Sequence, residues 1–250
     1  MLSNDNVSEI VRRANADRNE YDRRQAQLDA KKRAQELQFQ KAIAIRKQRE
    51  IEERKNREHK KRESYRSIIA SRGIKELIHF TNISNVETIV KYGILPRNIL
   101  EKKLPAALIN DINRYDNFRN AACLSVSFPN YKMFYKYQVE DSDARWAVLS
   151  LSPDLLADFN IKYFYFFKEN AAKNDSSRCS FNEMFGNSSG CDPENPQAEI
   201  LAFGVIPSKY IRKIYVRTSE DKVFLERKIG GRVNIELNTR YFKYRTGDYV

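Results

Sequence analysis

No glycine or proline occurs before position 73 in this 250-residue chain; the first glycine is Gly73 and the first proline is Pro96. These two residue types interrupt helices most reliably, one by its backbone freedom and the other by its missing N–H. Residues 1–72 therefore read as one long helix. Charge placement agrees, since Glu50 with Arg54, Glu53 with Arg57 and Glu58 with Arg62 stand four apart with the acid first, the orientation that supports a helix. Apolar residues are too sparse for a heptad seam: Tyr21 and Leu28 are seven apart, but the next step falls on Gln35. The arm reads as a solvated charged helix or a weak coiled coil. Its 18 Lys and Arg against 12 acidic residues up to Tyr65 suit contact with phosphates and equally suit plain hydration.

After Gly73 the composition changes to that of a globular domain, 73–250, and 41% apolar residues over the chain allow a sizeable core. Lys and Arg number 45 against 33 acidic residues, a formal charge of +12. Such an excess favours an anionic partner such as nucleic acid, although a solvated basic surface has the same composition. Cys123, Cys179 and Cys191 are odd in number with no C-x-x-C spacing, so neither a disulfide framework nor a metal site is indicated. The first ten residues lack an apolar signal core. No apolar run nears the roughly 18 residues of a membrane span, and a reducing cytoplasm is the expected setting.

Within the globular part a strand is expected at Lys75–Phe80. Ser84-Asn85-Val86-Glu87 is a capping-box pattern closed by Gly93, which predicts a short helix over Asn85–Tyr92. Further helical pieces are expected at Ile99–Lys103, Ala106–Asn113 and Ser219–Lys228. Strands are expected at Cys123–Phe128, Trp146–Leu151, Lys162–Phe167, Gln197–Phe203, Lys213–Thr218 and Val233–Leu237. Strands outnumber helices without regular alternation, so the class is α+β. No glycine-rich phosphate loop is present, which argues against a Rossmann or P-loop site.

The stretch Asn195-Pro196-Gln197-Ala198-Glu199-Ile200-Leu201-Ala202-Phe203-Gly204 places a carboxylate at the mouth of a strand, because pairing starts only after the proline. Glu199 is then held on a rigid element, as an arm of a salt bridge or as a group that handles a sugar. His79 is the only histidine of the globular part. It sits where a strand meets a capped helix, a place where backbone amides converge. In Leu124-Ser125-Val126-Ser127-Phe128 the two serines share one face, leaving room for a ligand or facing water. Tyr131-Lys132-Met133-Phe134-Tyr135-Lys136-Tyr137 interleaves aromatics with lysines. That mixture suits stacked bases with phosphates beside them, and its helical spacing also suits a core. The long polar connection between Lys162 and Gln197 runs into Glu199 and reads as a substrate-facing loop.

Three blocks in order resemble the DarT family of DNA ADP-ribosyltransferase toxins. They are Leu77–Thr81 with Ile83-Ser84-Asn85 and Tyr92-Gly93-Ile94-Leu95, then Ser125–Tyr135, then Asn195–Glu199. The likeness covers about 75–250 and leaves the arm unexplained. It implies an ADP-ribosyltransferase-like split β-sheet core that binds NAD+ as co-substrate and transfers ADP-ribose to a base in single-stranded DNA, without a metal. It also implies a cognate antitoxin, a macrodomain-type ADP-ribosyl hydrolase. Carried over residue by residue, Glu199 is the catalytic glutamate and Arg114 the catalytic arginine, with Arg119 in reserve. His79, Phe80, Thr81, Thr88, Pro96, Arg114 and Ser127 fall on the dinucleotide site. Tyr131, Lys132 and Lys136 are expected at the nucleic acid. The Ser-Phe-Pro-Asn-Tyr-Lys-Met-Phe-Tyr wording is closer to the guanine-modifying branch than to the thymine-modifying one. Transfer to RNA or protein, and nucleic-acid binding without catalysis, are the alternatives.

Overall fold

The computed structural model describes residues 4–104, 107–109 and 115–244. The chain divides into two compact units, residues 1–60 and 61–250. The first is helical throughout its described part and belongs to helix α1 (Asn4–Arg72). Its surface is tied by exposed four-apart pairs such as Arg13–Glu9 at 2.9 Å and Arg46–Glu50 at 3.1 Å, each worth only a few tenths of a kcal/mol. Leu28, Leu37, Phe39 and Ile45 are exposed and follow no heptad.

The second unit begins at Lys61, earlier than the Gly73 boundary expected from the sequence, because the last turns of α1 pack as core. Arg62 is 1% exposed. Its guanidinium donates to the carbonyls of Leu156 at 2.9 Å, Ile161 at 2.9 Å and Lys162 at 3.2 Å and lies over the Phe164 ring. Tyr65 meets Phe164, Phe166 and Phe181 edge-on. Gly73 then ends the helix at φ +65°, a backbone region glycine enters without strain.

The rest is a mixed eight-stranded sheet in the order β5-β4-β6-β2-β1-β3-β7-β8. Its strands are β1 (Leu77–Asn82), β2 (Ala121–Val126), β3 (Trp146–Leu151), β4 (Tyr163–Phe167), β5 (Arg178–Cys179), β6 (Glu199–Phe203), β7 (Ile211–Val216) and β8 (Asn234–Leu237). Neighbours are antiparallel except β7 and β8, which run parallel. Helices α2 (Val86–Tyr92), α3 (Arg97–Lys103), α4 (Tyr131–Glu140) and α5 (Ser219–Ile229) complete the regular elements. One sheet face buries Leu77, Leu124, Leu149, Ile200 and Ile214 in a continuous core with Val86 and Ile89 of α2. The other face carries two separate clusters. Ile78, Phe134, Trp146 and Val148 lie on one side, and Leu201, Phe203 and Phe167 on the other.

The seam between those clusters is the feature that positions the site. β1 pairs with β3 along its whole length, six residue pairs, but with β2 at only two, Leu77–Val126 and Ile78–Ser125. Beyond Ile78 the two strands part, although each keeps its other partner. Each expected element is observed to within a few residues, with one exception, whereas α4 and β5 were not among those expected. Ala107–Ile109 of the expected 106–113 helix are not helical, and the rest of that stretch lies outside the described residues. The long connection before Glu199 is not a loose loop, because Phe181, Met184 and Phe185 within it are buried in the main core.

Candidate active site

The parted strands open a cleft at the seam. His79, Phe80 and Thr81 form one lip, and Ala121, Ala122 and Cys123 the other. Thr88 and Ile89 of α2, Arg97 and Leu100 of α3, and Met133 and Tyr137 of α4 close its sides around about 150 Å³ of enclosed space. The volume suits one aromatic ring, and the mouth stays open beyond it. The walls are apolar with a few polar groups, the usual make-up of a small-molecule site.

Each lip is held by its own contacts. His79 Nδ1 lies 2.9 Å from the Cys123 carbonyl; a carbonyl only accepts, so that nitrogen carries the hydrogen and the imidazole spans the seam. Phe80 stacks on Phe134 with centroids 4.5 Å apart, which fixes α4 against β1. Thr81 Oγ1 accepts from Asn85 Nδ2 at 3.0 Å. Asn85 also donates to the Leu108 carbonyl at 2.8 Å and accepts from the Leu108 N–H at 3.1 Å, tying residues 107–109 to the wall. Gly93 ends α2 at φ +83°, and a Cβ there would stand 2.2 Å from the Ile206 carbonyl oxygen. Only glycine allows that approach.

Arg97 is the one charged residue among the described residues of the wall. It pairs with Glu101 at 2.7 Å, and Arg119 pairs with the other oxygen of Glu101. The hydrogen bond from Arg97, and then that from Arg119, hold the Glu101 carboxyl below the usual carboxylate range despite the opposing effect of burial.

Glu199 opens β6, where it pairs with Phe167, and is 3% exposed. Its Oε1 accepts from Asn130 Nδ2 at 3.0 Å and its Oε2 from the Ala171 N–H at 2.8 Å. Asn130, itself 1% exposed, donates its backbone N–H to Ser125 Oγ at 3.0 Å. Its Oδ1 accepts from the Met133 N–H at 3.4 Å, capping α4. Ser125 pairs with Ile78 across the seam, and β2 pairs with β6 up to Leu124–Ile200, one residue short of Glu199. Strand β6 thus lies two strand spacings, about 10 Å, from β1, and Glu199 is not among the described residues that line the cleft.

The other expected site residues fall in different places. Thr88 lines the cleft. Pro96 is buried off the wall, where its carbonyl accepts the first N–H groups of α3, from Ile99 and Leu100, both at 2.9 Å. Ser127 also lies off the wall, in the tight turn after β2; its φ is +59° and its hydroxyl is 3.5 Å from the Cys191 carbonyl. A non-glycine residue in that region stores strain of the kind found beside functional sites. Arg114 lies outside the described residues, as does the side chain of Tyr131. Lys132 is half-buried, and Lys136 is exposed and pairs with Glu140 at 3.6 Å. Asn130, Arg97, Met133 and Tyr137 were missed. Asn130 immediately before a helix carried the signal of a capping residue, and Met133 and Tyr137 stand four apart on one helical face.

The same fold occurs in solved structures. Thermosipho africanus DarTG in complex with ADP-ribose matches with a TM-score of 0.53 at 19% identity, over 67% of this chain and 51% of that one. Thermus sp. 2.9 DarT in complex with ADP-ribosylated ssDNA matches with a TM-score of 0.51 at 14% identity, over 68% and 96%. A further structure, Thermus sp. 2.9 DarT in complex with NAD+, aligns at 0.49 and 15% identity over 67% and 96%. The split sheet is that of the ADP-ribosyltransferases of the DarT type. The family model described as "ssDNA thymidine ADP-ribosyltransferase, DarT" matches residues 78–243, and the chain belongs to that family. It spans about half the length of the DarTG chain it matches. No curated protein sequence matches it.

Proposed function

We propose that this protein transfers ADP-ribose from NAD+ to a base in single-stranded DNA and releases nicotinamide. The observation that carries the reading is the Glu199 carboxylate, buried and held through both oxygens at the start of β6, the strand beside the β2 lip of a ring-sized cleft. Breaking the nicotinamide–ribose bond leaves positive charge on C1′ and O4′ of the ribose, and a fixed carboxylate stabilises such charge, as in glycoside hydrolysis. The base nitrogen then forms its bond to C1′ as nicotinamide leaves with the electron pair of the broken bond. Its proton passes to Glu199 or to solvent.

The lip residues His79, Phe80 and Thr81, with Thr88, would hold the nicotinamide ribose end. Arg97 would meet the pyrophosphate, a role chosen because a guanidinium suits bidentate phosphate contact. Arg114 is assigned, from family likeness, to the pyrophosphate or the acceptor base, and Tyr131, Lys132 and Lys136, from their interleaving of aromatics with lysines, to the DNA strand. A single strand spares the enzyme the cost of unstacking a base.

Guanine follows from the wording of the Ser125–Tyr135 block, thymidine from the description of the matching family. Incubation with NAD+ and single-stranded oligonucleotides of mixed sequence, followed by nucleoside mass spectrometry, identifies the base. Labelled DNA with wild type and none with Glu199→Ala is expected. Labelling only of RNA or protein would overturn the DNA assignment, and binding that falls steeply with salt and ignores NAD+ would overturn catalysis. A cognate antitoxin of the macrodomain type belongs to the same proposal; its co-expression should relieve growth arrest caused by the wild-type chain.

A further inference from the structure

We infer that Asn130 is a positioning residue of the active site, a side chain that aligns Glu199 and fixes the cleft wall together. This rests on the catalytic reading of Glu199 given above.

Three groups of Asn130 are engaged in different directions. Nδ2 donates to Glu199 Oε1 at 3.0 Å. Oδ1 accepts from the Met133 N–H at 3.4 Å, at the start of α4. The backbone N–H donates to Ser125 Oγ at 3.0 Å, on the strand between the cleft lip and β6. Asn130 and Glu199 are both almost completely buried, so water does not replace either bond when it is lost. An amide suits this place because it carries a donor and an acceptor on one short, stiff side chain. Aspartate keeps the acceptor for the helix but offers a second anion to Glu199; serine keeps a cap but is too short to reach. Phe134 one turn on fixes α4 to Phe80, and Met133 and Tyr137 face the cleft. A shift of the carboxylate and a shift of that wall therefore share one pivot.

The test compares wild type with Asn130→Asp and Asn130→Ser for transfer to the oligonucleotide, with kcat and the KM for NAD+ measured separately, and for thermal midpoint. Both substitutions retain a good helix cap. A fall in kcat of about 100-fold, the scale of a misplaced catalytic group, with KM for NAD+ within about threefold and a cooperative melt, is expected. Asn130→Ser is expected to stand above Asn130→Asp, since it removes the donor without adding a charge. If Asn130→Asp fails to fold, Asn130→Ser alone decides. A folded variant with kcat within about threefold of wild type would overturn the assignment, as would a loss confined to KM. Wild-type transfer that Glu199→Ala abolishes, together with unimpaired Asn130 variants, would sink only this inference. An inert wild type would sink the functional reading and this inference with it.

Discussion

At the scale of single residues, the geometry separates what holds the substrate from what acts on it. Glu199→Gln keeps size and one of the two donor contacts, since its amide nitrogen cannot accept the other, and removes the negative charge. Transfer should fall by about 100-fold or more, while NAD+ affinity, read by calorimetry, stays within a few-fold. His79→Ala should do the opposite and raise the KM for NAD+, because it removes the ring that spans the seam to the Cys123 carbonyl. Both residues were legible in the sequence, each at a strand end marked by punctuation, proline before one and a capping box after the other. Asn130 was not legible as a partner of Glu199. The two are 69 positions apart, and nothing local to either residue encodes a contact that only the sheet order creates. Pro96 and Ser127, which family likeness placed at the dinucleotide, also have backbone roles that no local pattern announced, a helix start and a turn at positive φ.

Among the elements, helix α2 shows how a local signal can carry a distant consequence. Its capping box and closing glycine were readable, so its limits came out within a residue. The reason the glycine matters was not readable, because the Ile206 carbonyl that forbids a Cβ comes from a segment far along the chain. Gly93→Ala should destabilise the protein by roughly 2–4 kcal/mol, combining backbone strain with overpacking, measured by chemical denaturation. The short 3₁₀ segments Pro153–Ala157 and Ser208–Tyr210 give a pH signature. The Tyr210 hydroxyl donates to Asp158 at 2.8 Å; burial, then this bond, push its pKa up from 10.0 to about 12. The folded state holds that proton more tightly than the unfolded chain. Its contribution is therefore complete below pH 10 and is lost as pH rises to about 12. Tyr210→Phe should flatten that alkaline fall in thermal midpoint. The strand and helix pattern gave no hint of it, since both partners sit in irregular turns.

For the whole molecule, the boundary between the units is where sequence and structure part most. Composition changes at Gly73, yet the fold begins at Lys61, because the buried Arg62 and Tyr65 look in sequence like any other members of a charged helix. A chain starting at Lys61 should unfold cooperatively with a midpoint close to that of the full protein. One starting at Gly73 leaves the Leu156, Ile161 and Lys162 carbonyls without their guanidinium. It should melt about 10 °C lower or more, from a loss of roughly 3–5 kcal/mol at about 2–4 °C per kcal/mol. Circular dichroism melts of the two truncations decide it. No helix among the described residues is long and apolar enough to cross a membrane, and the α+β class with a split sheet stands as the sequence suggested.

The early parting of β1 from β2 has a consequence for recognition. In an antiparallel strand every second residue turns its amide and carbonyl toward the same neighbour, so the unzipped length beyond Ile78 and Ser125 turns main-chain dipoles toward the seam, among them the Cys123 carbonyl that meets His79. Such dipoles survive any exchange of side chains. A pocket floored by peptide groups can keep its grip on one invariant ligand while the surrounding residues drift, which fits a fold retained at 14–19% identity.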